Sequence, residues 1–140
     1  MFHNLTNTEI RQMYDLLYAY EKRLCHIADK KSFSISGLDL FLSNNDIYVD
    51  TMSIAHANTG NLHNGHILFR QANASNRDFY LIRHMRNAFA HALVIANKKK
   101  GRIKMIAAPK SFKLEMPKQL TKPFFSLLQD SLVNTIQKSK

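Results

Sequence analysis

The sequence predicts a mainly α fold, a bundle of about four helices with one small β-hairpin. Three observations predict it. Apolar residues recur at helical spacing near both ends of the chain. A third periodic stretch, residues 76 to 97, carries the longest apolar run. Alternating apolar and charged residues, with a proline-containing turn between them, are confined to 102 to 116. At 140 residues the chain fits a single domain, 1–140, able to bury a core without metal or disulfide.

The elements follow in order. Thr6 and Glu9 stand at capping-box spacing ahead of Ile10, Met13, Leu16, Leu17, Tyr20, Leu24 and Ile27, which predicts a first helix over 7 to 30. Ser32, Ser34, Ser36 and Gly37 break that pattern, and Leu38 to Leu42 is either extended or part of a turn. Ile47, Met52 and Ile54 suggest a second helix over 44 to 57. Asn, Gly and His dominate 56 to 76, a loop region with one short element near Ile67-Leu68-Phe69. Ser75 or Asn76 can cap the next helix, with Asp78 in its first turn, Lys98, Lys99 and Lys100 at its C-terminal dipole and Gly101 as terminator. Residues 102–106 and 112–116 read as the hairpin. Pro117 and Pro123 bracket the start of a last helix over 121 to 138, with Phe124, Leu127, Leu128, Leu132, Val133 and Ile136 as its stripe.

Charge narrows the partners. Lys and Arg number 20 against 10 Asp and Glu, a formal net charge of +10. Nine of the basic residues lie between Lys98 and Lys122, opposed by Glu115 alone. Such a chain attracts polyanions, although a solubilising surface has the same composition. The single cysteine, Cys25, cannot form an internal disulfide and suits a reducing compartment. No basic-then-apolar leader opens the chain, and the apolar run Ala88 to Ala96 is too short to span a bilayer. The expected location is cytoplasmic, without membrane contact.

On a helical wheel the 76 to 97 segment separates cleanly. Leu81, Ile82, Met85, Ala88, Phe89, Ala92 and Leu93 share one side, and Tyr80, Arg83, His84, Asn87 and His91 share the other. Arg86 lies at the far edge of the polar side. This set is either the solvated face of an amphipathic helix or the wall of a cleft, because buried polar groups need partners.

The run Arg86-Asn87-Ala88-Phe89-Ala90-His91 resembles the motif of the HEPN superfamily. That motif is an arginine, a following polar residue, and a histidine a few positions on. The order of a long first helix, a motif helix and a closing helix is also similar to that family. The resemblance implies a helical HEPN-like bundle and metal-independent endoribonuclease activity without a cofactor. His91 would be the acid–base residue, Arg86 the phosphate ligand and Asn87 the residue that orients them. Each role suits the chemistry, since imidazole titrates near neutrality and guanidinium offers a fixed fork of donors. Residues five apart project about 140° apart on a helix, so the resemblance further implies a homodimer with a composite site. Tyr80, Arg83 and His84, with Lys98, Lys99, Lys100 and Arg102, are the expected contacts to RNA.

Relatives of this kind include toxins and defence effectors, so an antitoxin or regulatory protein is an expected partner. The alternative is a non-catalytic HEPN-like dimer that binds RNA, a nucleotide or a protein. A third reading is a basic helical interaction protein with no nucleic-acid role. His56, His63 and His66 could bind zinc or nickel, but their spacing matches no metal motif, and solvated loop histidines are the expectation.

Overall fold

The computed structural model describes residues 5–22, 24, 33–51, 63–69, 76–91, 94–97, 100–107 and 112–138. Among them are four α-helices: α1 (Asn7–Lys22), α2 (Leu38–Asn44), α3 (Arg77–Ala90) and α4 (Thr121–Lys138). Five strands accompany them, two between α2 and α3 and three between α3 and α4: β1 (Ile47–Asp50), β2 (Gly65–Phe69), β3 (Val94–Asn97), β4 (Arg102–Ala107) and β5 (Phe112–Pro117). The strands form one mixed sheet in the order β1-β2-β5-β4-β3. Only β1 and β2 run parallel; the other pairs are antiparallel.

This corrects the expected helical bundle to an α/β fold. The segment 102–117 is not an appended hairpin, because β5 is also paired with β2 and stands at the sheet centre. Ile47, Tyr48 and Val49 are β-branched or aromatic, and they form β1 where a helix was expected. Val94 and Ile95 behave likewise: α3 stops at Ala90 and the chain turns into β3. Lys100 and Gly101 therefore occupy the β3–β4 turn, not the end of a helix. Gly101 takes the left-handed φ of 61° that such a turn favours in glycine. Lys98 and Lys99 lie outside the described residues.

Sheet alternation sorts the side chains. Ile67 and Phe69 of β2, Phe112, Leu114 and Met116 of β5, Ile103, Met105 and Ala107 of β4, and Val94 and Ala96 of β3 are buried on the helix side. α3 lies against β4 on this face, and α1 lies against both α3 and α4. Phe89 meets Phe125 edge-on at 5.8 Å, and Phe41 stacks on Phe124 at 5.5 Å.

Polar contacts fix the helices at their ends. Thr6 and Glu9 exchange hydrogen bonds of 2.8 and 3.1 Å as a capping box. The buried Glu9 carboxylate also holds Lys118 Nζ at 3.3 Å, in the 3-10 turn that links β5 to α4. Arg77 bridges Asp39 of α2 and Asp78 of α3 at 2.8 and 2.9 Å, and Asp78 accepts a bond from the Ile35 amide.

Gly65 marks a close approach between β2 and β5. A Cβ there would lie 2.6 Å from the Glu115 carbonyl oxygen and 3.1 Å from Met116 Cα. Both are backbone atoms and cannot swing aside. Gly65→Ala is expected to lower the unfolding free energy by about 1–3 kcal/mol, the usual cost of overpacking. Urea denaturation with an unchanged m-value checks this. A loss below about 0.5 kcal/mol, the level of a neutral surface change, would refute the close approach.

Candidate functional site

α3 displays the motif residues along its length. Its apolar face, Leu81, Ile82, Met85, Ala88 and Phe89, is buried. Arg86 and Asn87 are half-buried, and Arg83 and His91 are exposed. The Arg86 guanidinium is held on two sides. Its Nε donates to Glu21 Oε1 of α1 at 2.6 Å, its Nη1 donates to Asn87 Oδ1 at 2.9 Å, and it lies 5.9 Å from the centre of the Tyr20 ring. The Arg86 side chain also borders a dry pocket between α1, α3 and α4, lined by Leu16, Ile82, Met85, Phe89 and Leu128, with no room for a water molecule. His91 caps the helix, and its amide donates to the Asn87 carbonyl at 3.2 Å. Arg86 and Asn87 thus form a connected pair, and His91 stands one turn further on in solvent.

The remaining expected contacts divide. Arg83 lies over the Tyr80 ring at 5.8 Å, and Tyr80 packs edge-on against Phe79. His84 faces the sheet. It stacks on Phe112 at 5.6 Å with ring planes 1° apart, and it also meets Phe69 at 5.4 Å. The helical wheel placed His84 with Asn87 and His91, but it cannot show that a sheet lies beside that flank of the helix.

Arg102 is more distant still. α3 packs on the face that carries Ile103 and Met105, so alternation turns Arg102 to the opposite face of the sheet. There its Nε donates to Glu115 Oε2 at 3.2 Å and its Nη1 to the Asn64 carbonyl at 2.7 Å. It does not share a surface with Arg86.

Two of the three loop histidines also belong to this outer face; His56 lies outside the described residues. His63 Nδ1 is 2.8 Å from Asp46 Oδ1, and its ring stacks on Tyr48 at 5.3 Å. Asp46 has a left-handed φ of 54°, unusual for a residue with a side chain. Its carbonyl receives the Asn64 amide at 2.9 Å and its carboxylate receives the same amide at 3.2 Å. The hydrogen bond to His63 holds the Asp46 carboxyl below its ordinary range. His66 lies within β2, between Tyr48 and Glu115 across the strands, and is 6% exposed. Burial pushes its pKa down; Glu115 opposes that shift, while Lys113, Arg102 and Lys104 add to it. The short apolar run Ile67-Leu68-Phe69 beside it is the sequence signal that His66 sits on a strand. Among the described residues, no three His, Cys, Asp or Glu side chains are placed to share a metal ion.

Comparison of the chain with family models, curated proteins and solved structures returned no match. No helix among the described residues is long and apolar enough to cross a membrane.

The lowered His66 pKa has a definite sign in stability. The unfolded chain takes up a proton near the ordinary value of 6.5, and the folded chain only at lower pH. The unfolded state therefore binds more protons as pH falls below 6.5, and His66 makes the fold lose stability there. In His66→Phe, thermal midpoints measured from pH 7 to pH 5 are expected to fall less steeply than in the parent. An equal slope in both proteins would mean that His66 is protonated freely in the folded state.

Proposed function

We propose that this protein is a metal-independent endoribonuclease, acting in the cytoplasm as a homodimer, with Arg86, Asn87 and His91 as its catalytic groups. One observation carries the reading. Asn87 and Glu21 hold the Arg86 guanidinium in a single orientation, while the His91 imidazole stands in solvent at the end of the same helix. Asn87 is thereby suited to the orienting role, and Arg86 to receiving a phosphate through its fork of donors. His91 supplies the acid–base group that takes the proton of the ribose 2′-hydroxyl. Arg86 and His91 project in different directions from one helix, so a second copy completes the site. A toxin or defence role, restrained by an antitoxin or regulatory protein, follows from the family resemblance.

A second reading, RNA binding without cleavage by a dimeric module, is favoured by the Glu21 carboxylate. It offsets the Arg86 charge that a scissile phosphate would need.

Purified protein incubated with single-stranded RNA and EDTA separates the two. Cleavage that persists in EDTA, and falls at least about 100-fold in His91→Ala and in Arg86→Ala, supports the enzyme. Intact RNA with salt-sensitive binding supports the module. Glu21 and Arg86 are both more than a third exposed, at 43% and 34%, so Glu21→Gln should change stability by less than about 1 kcal/mol. In the enzyme reading the same substitution frees Arg86 and tightens RNA binding. A monomer at micromolar concentration by sedimentation would argue against the composite site.

A further inference from the structure

α1 carries two seams. Glu9, Met13, Leu16 and Tyr20 turn into the protein and are buried. Arg11, Tyr14, Tyr18 and Glu21 lie about 150° around the helix from them, and all four are exposed. The tyrosines are 59% and 65% exposed. The other exposed large hydrophobics among the described residues, Leu40 and Ile95, stand singly on α2 and β3, so α1 alone gathers two on one face. The neighbouring helices meet α1 at its flanks. Arg86 of α3 reaches Glu21 and Tyr20 on one side, and Ser126 and Gln129 of α4 meet Gln12 and Asp15 on the other.

The outer seam has the spacing of a helix that packs on another helix. Its residues are separated by three, four and three positions, the alternation by which two helices interlock. Its charges name the occupant. Two copies of α1 set antiparallel about a twofold axis at the level of Leu16 put Tyr14 of each opposite Tyr18 of the other, and Arg11 of each opposite Glu21 of the other. The central layers are then aromatic pairs and the outer layers are pairs of opposite charge. A parallel arrangement would set Arg11 against Arg11 and Glu21 against Glu21. Arg11 forms no ion pair among the described residues, and the Glu21 side chain keeps 43% of its surface while it binds Arg86. The face is thus complementary to its own reversed copy, as an isologous contact requires.

We infer that the outer seam of α1 is the surface on which a second copy of this chain docks, antiparallel, with Tyr14 and Tyr18 as anchors and the Arg11–Glu21 pairs fixing the register. Tyrosine suits that role because it contributes a large contact area with few rotatable bonds. The inference gives a surface to the homodimer proposed above and rests on that part of the reading, not on cleavage. The second copy's Arg11 also arrives at the carboxylate that holds Arg86. Glu21 is then shared, and the Arg86 guanidinium is released toward a phosphate.

Sedimentation of the full chain without RNA measures the pairing apart from any cleavage. The parent is expected to dimerise at micromolar concentration. Tyr14→Ala/Tyr18→Ala is expected to raise the dimer Kd at least about tenfold, the cost of truncating a tyrosine anchor. Leu40→Ala removes a side chain of similar exposure, 66%, from α2 and should leave the Kd unchanged. Arg11→Glu and Glu21→Lys should each weaken pairing, because each sets like charges at both ends of the seam. The double reversal Arg11→Glu/Glu21→Lys restores both ion pairs and should recover it. A monomeric parent leaves the face to some other protein and overturns self-pairing. A dimer that survives in Tyr14→Ala/Tyr18→Ala, or is lost equally in Leu40→Ala, overturns this surface while the homodimer stands. A double reversal no tighter than the single variants overturns the antiparallel register. Unchanged thermal midpoints show that the variants are folded.

Discussion

The pairing of β5 between β2 and β4 is the constraint on which the molecule turns. It places Phe112, Leu114 and Met116 among the helices and leaves Lys113 and Glu115 on the opposite face. A slip of one residue would exchange the two sets, burying a lysine and a glutamate and exposing three large apolar side chains. The cost of that exchange fixes the register on both sides of β5 at once. Gly65 then lets β2 close on β5 at the level of Met116, where any side chain would hold the strands apart.

The helix layer takes its position from this sheet. α3 rests on β4 through its apolar face, and His84 lies flat on Phe112, so the imidazole is part of the packing. The other flank of α3 meets α1 through Arg86, Glu21 and Tyr20. A single helix thus carries an aromatic contact to the sheet, an ion pair to its neighbour and an exposed histidine at its end. The chemistry proposed for α3 depends on the last two; the first sets where they stand.

Local signals were legible where they came from one element. The capping box at Thr6 and Glu9, the apolar stripe of α4 and the buried face of α3 could all be read from spacing alone. The strands were harder to recognise because they are short. Four residues of β1 and four of β3 give barely two turns of alternation, and each follows a helix whose period masks it. Ile47 to Val49 and Val94 to Ile95 carried the β-branched signal, but they were absorbed into neighbouring helical patterns. The site suffered from the same cause. A wheel ranks residues around one helix and cannot show that a sheet lies beside His84, that α1 brings Glu21 to Arg86, or that Arg102 faces away. His66 reads as a loop histidine because its strand, β2, is paired with β5 far along the chain, and His63 lies just ahead of that strand.

Arg102 does more than balance a charge. One guanidinium joins Glu115 on β5 to the Asn64 carbonyl just ahead of β2, and Asn64 in turn is bound to Asp46 at the start of β1. The ends of β1, β2, β4 and β5 are therefore clamped together by a single side chain and its relay. Whatever draws Glu115 toward a cation, or Arg102 toward an anion, loosens that clamp and frees the turn carrying His63. Stiffness of the β1–β2 end therefore rests on that one guanidinium, and the amides of Asn64 and Gly65 are where exchange with solvent would register its loss.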